Sequence, residues 1–189
     1  MKSLELLCAL ITFDIMNSNP LTQSSQSFFK MLQRLHLFLV IGVVLFLAIS
    51  IYLVESGGLG EDEEMIEIFQ YFVPIFAMIC IIASRFMFNK RRATLASAKT
   101  LQEKTEGYQA ALIVKWALIE GASLFAIITF MLTGNYGLGT IAFIMLMYLI
   151  LQRPNLESAL EDMNLSHADF GKVRDPKAII FDRSKSKHD

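Results

Sequence analysis

The chain has 189 residues, of which 54% are hydrophobic and only 19% are charged, and its formal net charge is −1. A mean hydropathy of +0.48 excludes an ordinary soluble domain, because a fold of this size cannot bury so much apolar surface inside itself. Two isolated cysteines, Cys8 and Cys80, suggest neither a disulfide framework nor a thiolate metal site. The composition therefore predicts a membrane protein.

The N-terminal segment contains an apolar run, Leu4 to Phe13, which is interrupted by Glu5 and followed by Asp14. Because this run lacks a small-x-small cleavage site, we do not expect a cleaved signal peptide. Two interpretations stay open for residues 1–15. One is an over-extended start ahead of Met16, and the other is a helix that lies at the membrane interface.

Four apolar segments are candidates for transmembrane helices, since about 20 residues at about 1.5 Å per residue cross a hydrocarbon core of about 30 Å. The predicted spans comprise residues 37–54, 69–88, 110–133 and 136–151. Pro74 is expected to kink the second span. The fourth span is short, so we expect local thinning of the bilayer or burial among the other helices.

The predicted fold is an all-α integral membrane bundle of about four transmembrane helices. It occupies residues 37–151, between an N-terminal segment, 1–36, and a C-terminal tail, 152–189. The connector between the second and third spans is rich in Ala, Leu, Lys, Gln and Glu, which favours helical extensions of both spans.

The segments between the spans differ in the sign of their charge. Residues 55–67 carry six acidic residues and no basic one, whereas basic residues outnumber acidic ones at 89–109. Lys30 and Arg34 precede the first span. Because positive charge marks the cytoplasmic side, both termini and the second connector are predicted to be cytoplasmic, and the first connector and the turn at 134–137 to be external. The expected location is the inner or plasma membrane.

The C-terminal tail balances seven basic residues with seven acidic ones, so we do not expect it to bind nucleic acid or anionic lipid. One face of a short helix carries the apolar residues Leu156, Ala159, Leu160 and Met163. The motif Ser166-x-x-Asp169 is typical of a capping box and predicts a second short helix. This amphipathic tail is expected to lie on the inner headgroups or to dock on a partner.

Glu120 is the strongest candidate for a functional residue, because it lies about ten residues into the third span and so near the bilayer midplane. An acidic residue at the centre of a transmembrane helix costs about 2.5 to 3.5 kcal/mol. Glu120 is therefore expected to face the bundle interior, to find a partner, or to remain protonated. Two roles stay open, namely the association of helices and the binding of a proton or cation.

Arg85 and Lys115 are the basic residues inside the predicted spans. Lys115 stands about 140° from Glu120 around the helix, so the two do not pair as helical neighbours. Arg85, on the antiparallel second span, is the best candidate partner of Glu120. An alternative role for both basic side chains is to extend to the inner headgroups.

Small residues on the third span, Ala117, Gly121 and Ser123, are predicted to mediate helix packing, since Ala117-x-x-x-Gly121 permits close approach of two helices. The three histidines are too scattered along the chain to suggest a metal site. We expect neither a metal nor another cofactor.

The stretch ALIEGASLF, the turn TGN and the ending LILQRP together resemble uncharacterised small four-span bacterial inner-membrane proteins. The resemblance implies no activity. The leading hypothesis is a non-enzymatic subunit or scaffold that binds other membrane proteins or a second copy of itself. The alternative is a small proton or cation channel or transporter component that uses Glu120. An enzyme is not expected, because the sequence shows no clustered nucleophile, acid pair or metal ligands.

Overall fold

The structure, a computed structural model, describes residues 22–57, 63–95, 97, 98, 100–163, 165, 167–175 and 179–182. Within this part of the chain there are six helices, α1 (Ser25–Glu55), α2 (Glu63–Leu95), α3 (Leu101–Thr133), α4 (Tyr136–Leu151), α5 (Leu156–Asp162) and α6 (His167–Arg174). Two short strands, β1 (Thr22–Ser24) and β2 (Ile179–Asp182), flank them. The segment before Met16, with its two open interpretations, lies outside the described residues.

The four long helices form a bundle around α3, which packs most extensively on α2 and also contacts α4 and α1. Four apolar side chains of α3 are fully buried, those of Trp116, Ile119, Ala126 and Ile127. The predicted all-α bundle is confirmed. The sequence did not predict the strand pair that accompanies it.

Local hydrogen bonds define the ends of these helices. The Ser24 hydroxyl accepts a hydrogen bond from the Ser27 N–H at the start of α1, and Thr100 and Glu103 form a capping box at the start of α3. The last turn of α3 is closed by Gly134, whose φ of 64° is a left-handed conformation that glycine adopts at low cost. The next residue caps α4 with its side chain, so the two helices are joined by a tight turn.

At one end of the bundle the helices extend well beyond the predicted spans. α1 begins at Ser25 rather than at Leu37, α2 continues to Leu95, and α3 begins at Leu101. The predicted helical extensions of the second and third spans are therefore confirmed. The shorter α4 coincides with its predicted span, residues 136–151.

The outer surface of the bundle is strongly apolar. Leu45 on α1 is 58% exposed and Ile82 on α2 is 62% exposed, although such residues are usually buried in proteins that fold in water. Pro74 lies inside α2, which continues through it. Helices α1, α2 and α3 are long and apolar enough to cross a membrane, and α4 with α5, bent by 79° from it, makes a fourth candidate. The described part of the chain thus has three to four helices that could span a membrane.

The first and last described segments of the chain meet at one end of the bundle, which we call the terminal end. There β1 and β2 pair in antiparallel orientation, and the Ser25 hydroxyl donates a hydrogen bond to the carbonyl oxygen of Val173 in α6. The side chains of Ala159, Met163 and Val173 are buried. The described part of the tail therefore packs on the bundle instead of projecting from it.

Both predicted tail helices are present. α5 is capped by Asn155, whose side-chain oxygen accepts a hydrogen bond of 2.7 Å from the Ser158 N–H. α6 begins at His167, while Ser166, the residue predicted to cap it, lies outside the described residues.

The opposite end of the bundle carries the α1–α2 connector and the α3–α4 turn. The Tyr136 hydroxyl donates a hydrogen bond to the Glu55 carboxylate, which joins the start of α4 to the end of α1. Consecutive long helices therefore alternate in direction. The α2–α3 connector lies at the terminal end, together with β1 and β2.

Candidate functional site

Glu120 lies on α3 at the border between its buried and exposed sides, and its side chain is half-buried. None of the described residues forms a hydrogen bond or an ion pair with it. Its neighbours Ala117 and Gly121 are exposed, and a Cβ atom built on Gly121 would meet nothing within 4 Å. We call Ala117, Glu120 and Gly121 the α3 outer face.

The three small residues predicted to mediate packing do not share one face of α3. Successive residues of an α-helix are rotated by about 100°, so Ser123 stands about 200° from Gly121 and points the other way. Ser123 is fully buried, and its hydroxyl has no hydrogen-bond partner among the residues that the structure describes. Ala117 and Gly121 face away from the other helices of their own chain, whereas Ser123 faces them, so the role of all three residues in helix packing stays a prediction.

Arg85 and Lys115 lie beside aromatic rings. The Arg85 Nε–H donates a hydrogen bond of 3.1 Å to the Tyr148 hydroxyl, and the guanidinium carbon is 6.0 Å from the centre of that ring. The Lys115 Nζ is 4.8 Å from the centre of the Phe88 ring. Both distances are typical of cation–π contacts. These contacts join α2 to α4 and α3 to α2.

The predicted ion pair between Arg85 and Glu120 is not formed. Arg85 bonds to α4 instead, and the charge of Lys115 interacts with those of Arg85 and Asp162. Glu120 lies about 7.5 Å farther along the α3 axis than Lys115, since an α-helix rises about 1.5 Å per residue. The structure therefore places Arg85 and Lys115 against aromatic rings of neighbouring helices and leaves Glu120 apart from these contacts.

An ion pair connects the tail to α2. The Arg92 Nη1 lies 3.0 Å from the Asp162 Oδ1. In α5, outside the long apolar helices, burial raises the pKa of the Asp162 carboxyl above its ordinary value, and the charges of Arg92 and Lys115 oppose that increase. Sequence reasoning missed this pair, because 70 positions separate its members and no local pattern relates them.

Side chains from α1 and α3 hold the backbone at the point where α4 ends. The His36 Nε2 donates a hydrogen bond of 2.9 Å to the Leu149 carbonyl oxygen, and the Trp116 Nε1 donates one of 3.2 Å to the Gln152 carbonyl oxygen. The last carbonyl groups of a helix have no partner within the helix. These two bonds therefore add side-chain donors at the end of α4, where the Leu149 carbonyl oxygen also accepts a hydrogen bond from the Gln152 N–H, and they fix the segment that leads to the tail.

Gln33 adds a third bond, from its Nε2 to the Pro154 carbonyl oxygen at 3.3 Å. The rings of His36 and Trp116 also contact each other, with their centres 5.1 Å apart. We call these three side chains the α4 anchor. Sequence reasoning missed the anchor, since the only signal was the helix stop at Gln152-Arg153-Pro154, which shows where α4 ends but not what binds there.

Few of the described side chains are arranged for catalysis or for metal binding. Within the described ranges, no three His, Cys, Asp or Glu side chains come together in a way that could hold a metal ion. The distinctive features are the carboxyl group of the α3 outer face and the basic side chains at the terminal end. Comparison of the chain with protein-family models, with curated proteins and with solved structures found no match.

Proposed function

We propose that the chain is a four-span protein of the inner or plasma membrane that acts as a non-enzymatic subunit or scaffold. In this proposal the α3 outer face binds the same face of a second copy. The observation that carries it is the Glu120 carboxyl, which has no partner among the described residues and stands beside the open space at Gly121.

A carboxyl group on an apolar helix favours such an association. Within lipid, an acidic residue at the centre of a span costs about 2.5 to 3.5 kcal/mol. A second helix packed on Ala117 and Gly121 can come close, because neither residue has a large side chain. In a two-fold symmetric dimer the Glu120 groups of both copies lie near the axis, where a protonated carboxyl donates a hydrogen bond to its counterpart.

The strand pair supports an even number of membrane crossings. β1 precedes α1, β2 lies in the tail, and the two are hydrogen-bonded to each other, so they lie on the same side of any membrane that the helices cross. With α1, α2 and α3 as three spans, α4 is the fourth. The basic residues of the α2–α3 connector share this end of the molecule, which favours a cytoplasmic terminal end.

Thiol labelling of intact cells tests the orientation. In a background that lacks Cys8 and Cys80, a Ser56→Cys variant should react with a membrane-impermeant maleimide, because Ser56 is exposed at the opposite end. A Ser97→Cys variant, exposed in the α2–α3 connector, should react only after the cells are permeabilised. Equal labelling of both sites in intact cells would contradict the proposed topology.

Enlarging the α3 outer face tests the association. A Gly121→Leu variant should dimerise at least about tenfold more weakly than the wild type, because the larger side chain separates the two helices. A Glu120→Leu variant should show a similar loss, since it removes the polar group at the interface. Sedimentation equilibrium in detergent micelles measures both effects.

A matched control exists on α1. Gly42 is also exposed, and a Cβ atom on it meets nothing within 4 Å, so Gly42→Leu adds the same bulk to another outer surface of the bundle. Its dimerisation should remain within twofold of the wild type. A monomeric wild-type protein, or an equal loss in the Gly42 and Gly121 variants, would refute an interface at the α3 outer face.

Ion or proton transport through Glu120 has less support. Arg85 and Lys115, the other residues proposed for that role, lie beside Tyr148 and Phe88 rather than beside Glu120. The scaffold proposal predicts that proteoliposomes show no flux that differs between the wild type and Glu120→Gln. A pH-dependent flux that disappears in this variant would favour transport instead.

A further inference from the structure

We propose that the terminal end binds the phosphate headgroup of an anionic phospholipid. The site is a cavity of about 570 Å³ between α1 and the segment that follows α4. Three basic residues line it, Lys30, Arg34 and Arg153. None of its described lining residues is acidic, so Lys30 on α1 and Arg153 beyond α4 bring positive charge to a phosphate group from two sides.

The basic residues come from two parts of the chain that the fold brings together. Lys30 and Arg34 are one helical turn apart and share a face of α1. Arg153 lies in the segment held by the α4 anchor, in which Gln33 bonds to the residue after it. The position of Arg153 opposite α1 is therefore set by hydrogen bonds before any ligand binds. Such preorganisation reduces the entropy that binding costs.

The walls of the cavity change from basic to apolar along α1. Leu37 and Val40 continue the face that carries Lys30 and Arg34, and Ile150 of α4 lies against them. The order of side chains therefore matches a phospholipid, whose charged headgroup is followed by methylene groups. This continuity with the apolar surface of the bundle favours a lipid over a free phosphate ion, and basic pockets between transmembrane helices are typical binding sites for anionic headgroups.

A second cavity of about 270 Å³ adjoins the first and shares Lys30 and Gln33 with it. It extends the basic surface to Arg174 in α6. The tail as a whole carries equal numbers of basic and acidic residues. The fold nevertheless places two of its arginines, Arg153 and Arg174, in the cavities that Lys30 of α1 also lines. The lipid site rests on the proposed membrane placement and not on association through the α3 outer face.

Native mass spectrometry of the purified full chain in detergent tests the site. Phosphatidylglycerol should bind the wild type at least about tenfold more tightly than phosphatidylcholine. A Lys30→Gln/Arg153→Gln variant should lose this preference. A Lys30→Gln variant, which changes one exposed side chain, should weaken phosphatidylglycerol binding severalfold without altering the circular dichroism spectrum. The matched control is Lys90→Gln/Arg91→Gln, which removes two exposed charges at the same end outside the cavity.

The control should bind phosphatidylglycerol within twofold of the wild type. Equal losses in the control and in the cavity variants would show diffuse attraction to surface charge and would overturn the proposal. Glycerol phosphate that competes as strongly as the lipid would identify a soluble phosphate as the ligand and would also overturn it. Dimerisation is measured separately on the Gly121 variant, so failure of either proposal is recognised independently of the other.

Discussion

A Trp116→Ala variant should be destabilised by about 3 to 5 kcal/mol relative to the wild type. The Trp116 side chain is fully buried, and its removal leaves a large cavity beside the His36 ring. The variant also loses the hydrogen bond to the Gln152 carbonyl oxygen, which leaves the end of α4 without one of its donors. Reversible unfolding in mixed detergent micelles measures the free-energy change.

Two comparisons isolate the role of the α4 anchor. Trp116→Phe keeps most of the apolar volume but no indole N–H, so its stability should lie between those of the wild type and Trp116→Ala. Phe143→Ala removes an aromatic ring that is 52% exposed on α4, and its cost should be below about 1 kcal/mol. If Trp116→Ala costs no more than Phe143→Ala, the anchor does not stabilise the fold.

A Met163→Glu variant should release the tail from the bundle. Met163 at the end of α5 is 1% exposed, and a carboxylate placed there would be buried next to the negative charge of Asp162. Burying an unpaired charge costs several kcal/mol, more than a short docked helix is expected to contribute. Trypsin should then cleave after Arg174, in α6 of the released tail, at least about tenfold faster than in the wild type, because cleavage requires the local backbone to open.

The control for this prediction introduces the same charge at an exposed position of the same helix. Ser158 is exposed on α5, so Ser158→Glu should leave the cleavage rate within about twofold of the wild type. Circular dichroism should show that the long helices persist in both variants. Equal cleavage of both variants would mean that burial of Met163 does not hold the tail in place.

Sequence reasoning identified Glu120, Arg85 and Lys115 as the candidate residues but not their relation to one another. It paired Arg85 with Glu120, whereas Arg85 bonds to Tyr148 on a helix 63 positions away in the chain. It also grouped Ala117 with Ser123, which lie on different sides of α3. The side of a helix that faces its neighbours depends on tertiary packing, and an apolar helix in lipid carries little pattern that reveals it.

By itself, the sequence determined the helical character of the chain, the approximate position of each apolar helix and the turn at Gly134. These features depend on local chemistry, namely the length of apolar runs and the conformational freedom of glycine. Only the tertiary structure decided that the α3 outer face is turned away from the bundle and that the tail folds back onto the terminal end. Lipid tails and neighbouring helices are equally apolar, so hydrophobicity does not distinguish outward from inward residues, and contacts such as His36 to Leu149 join residues 113 positions apart.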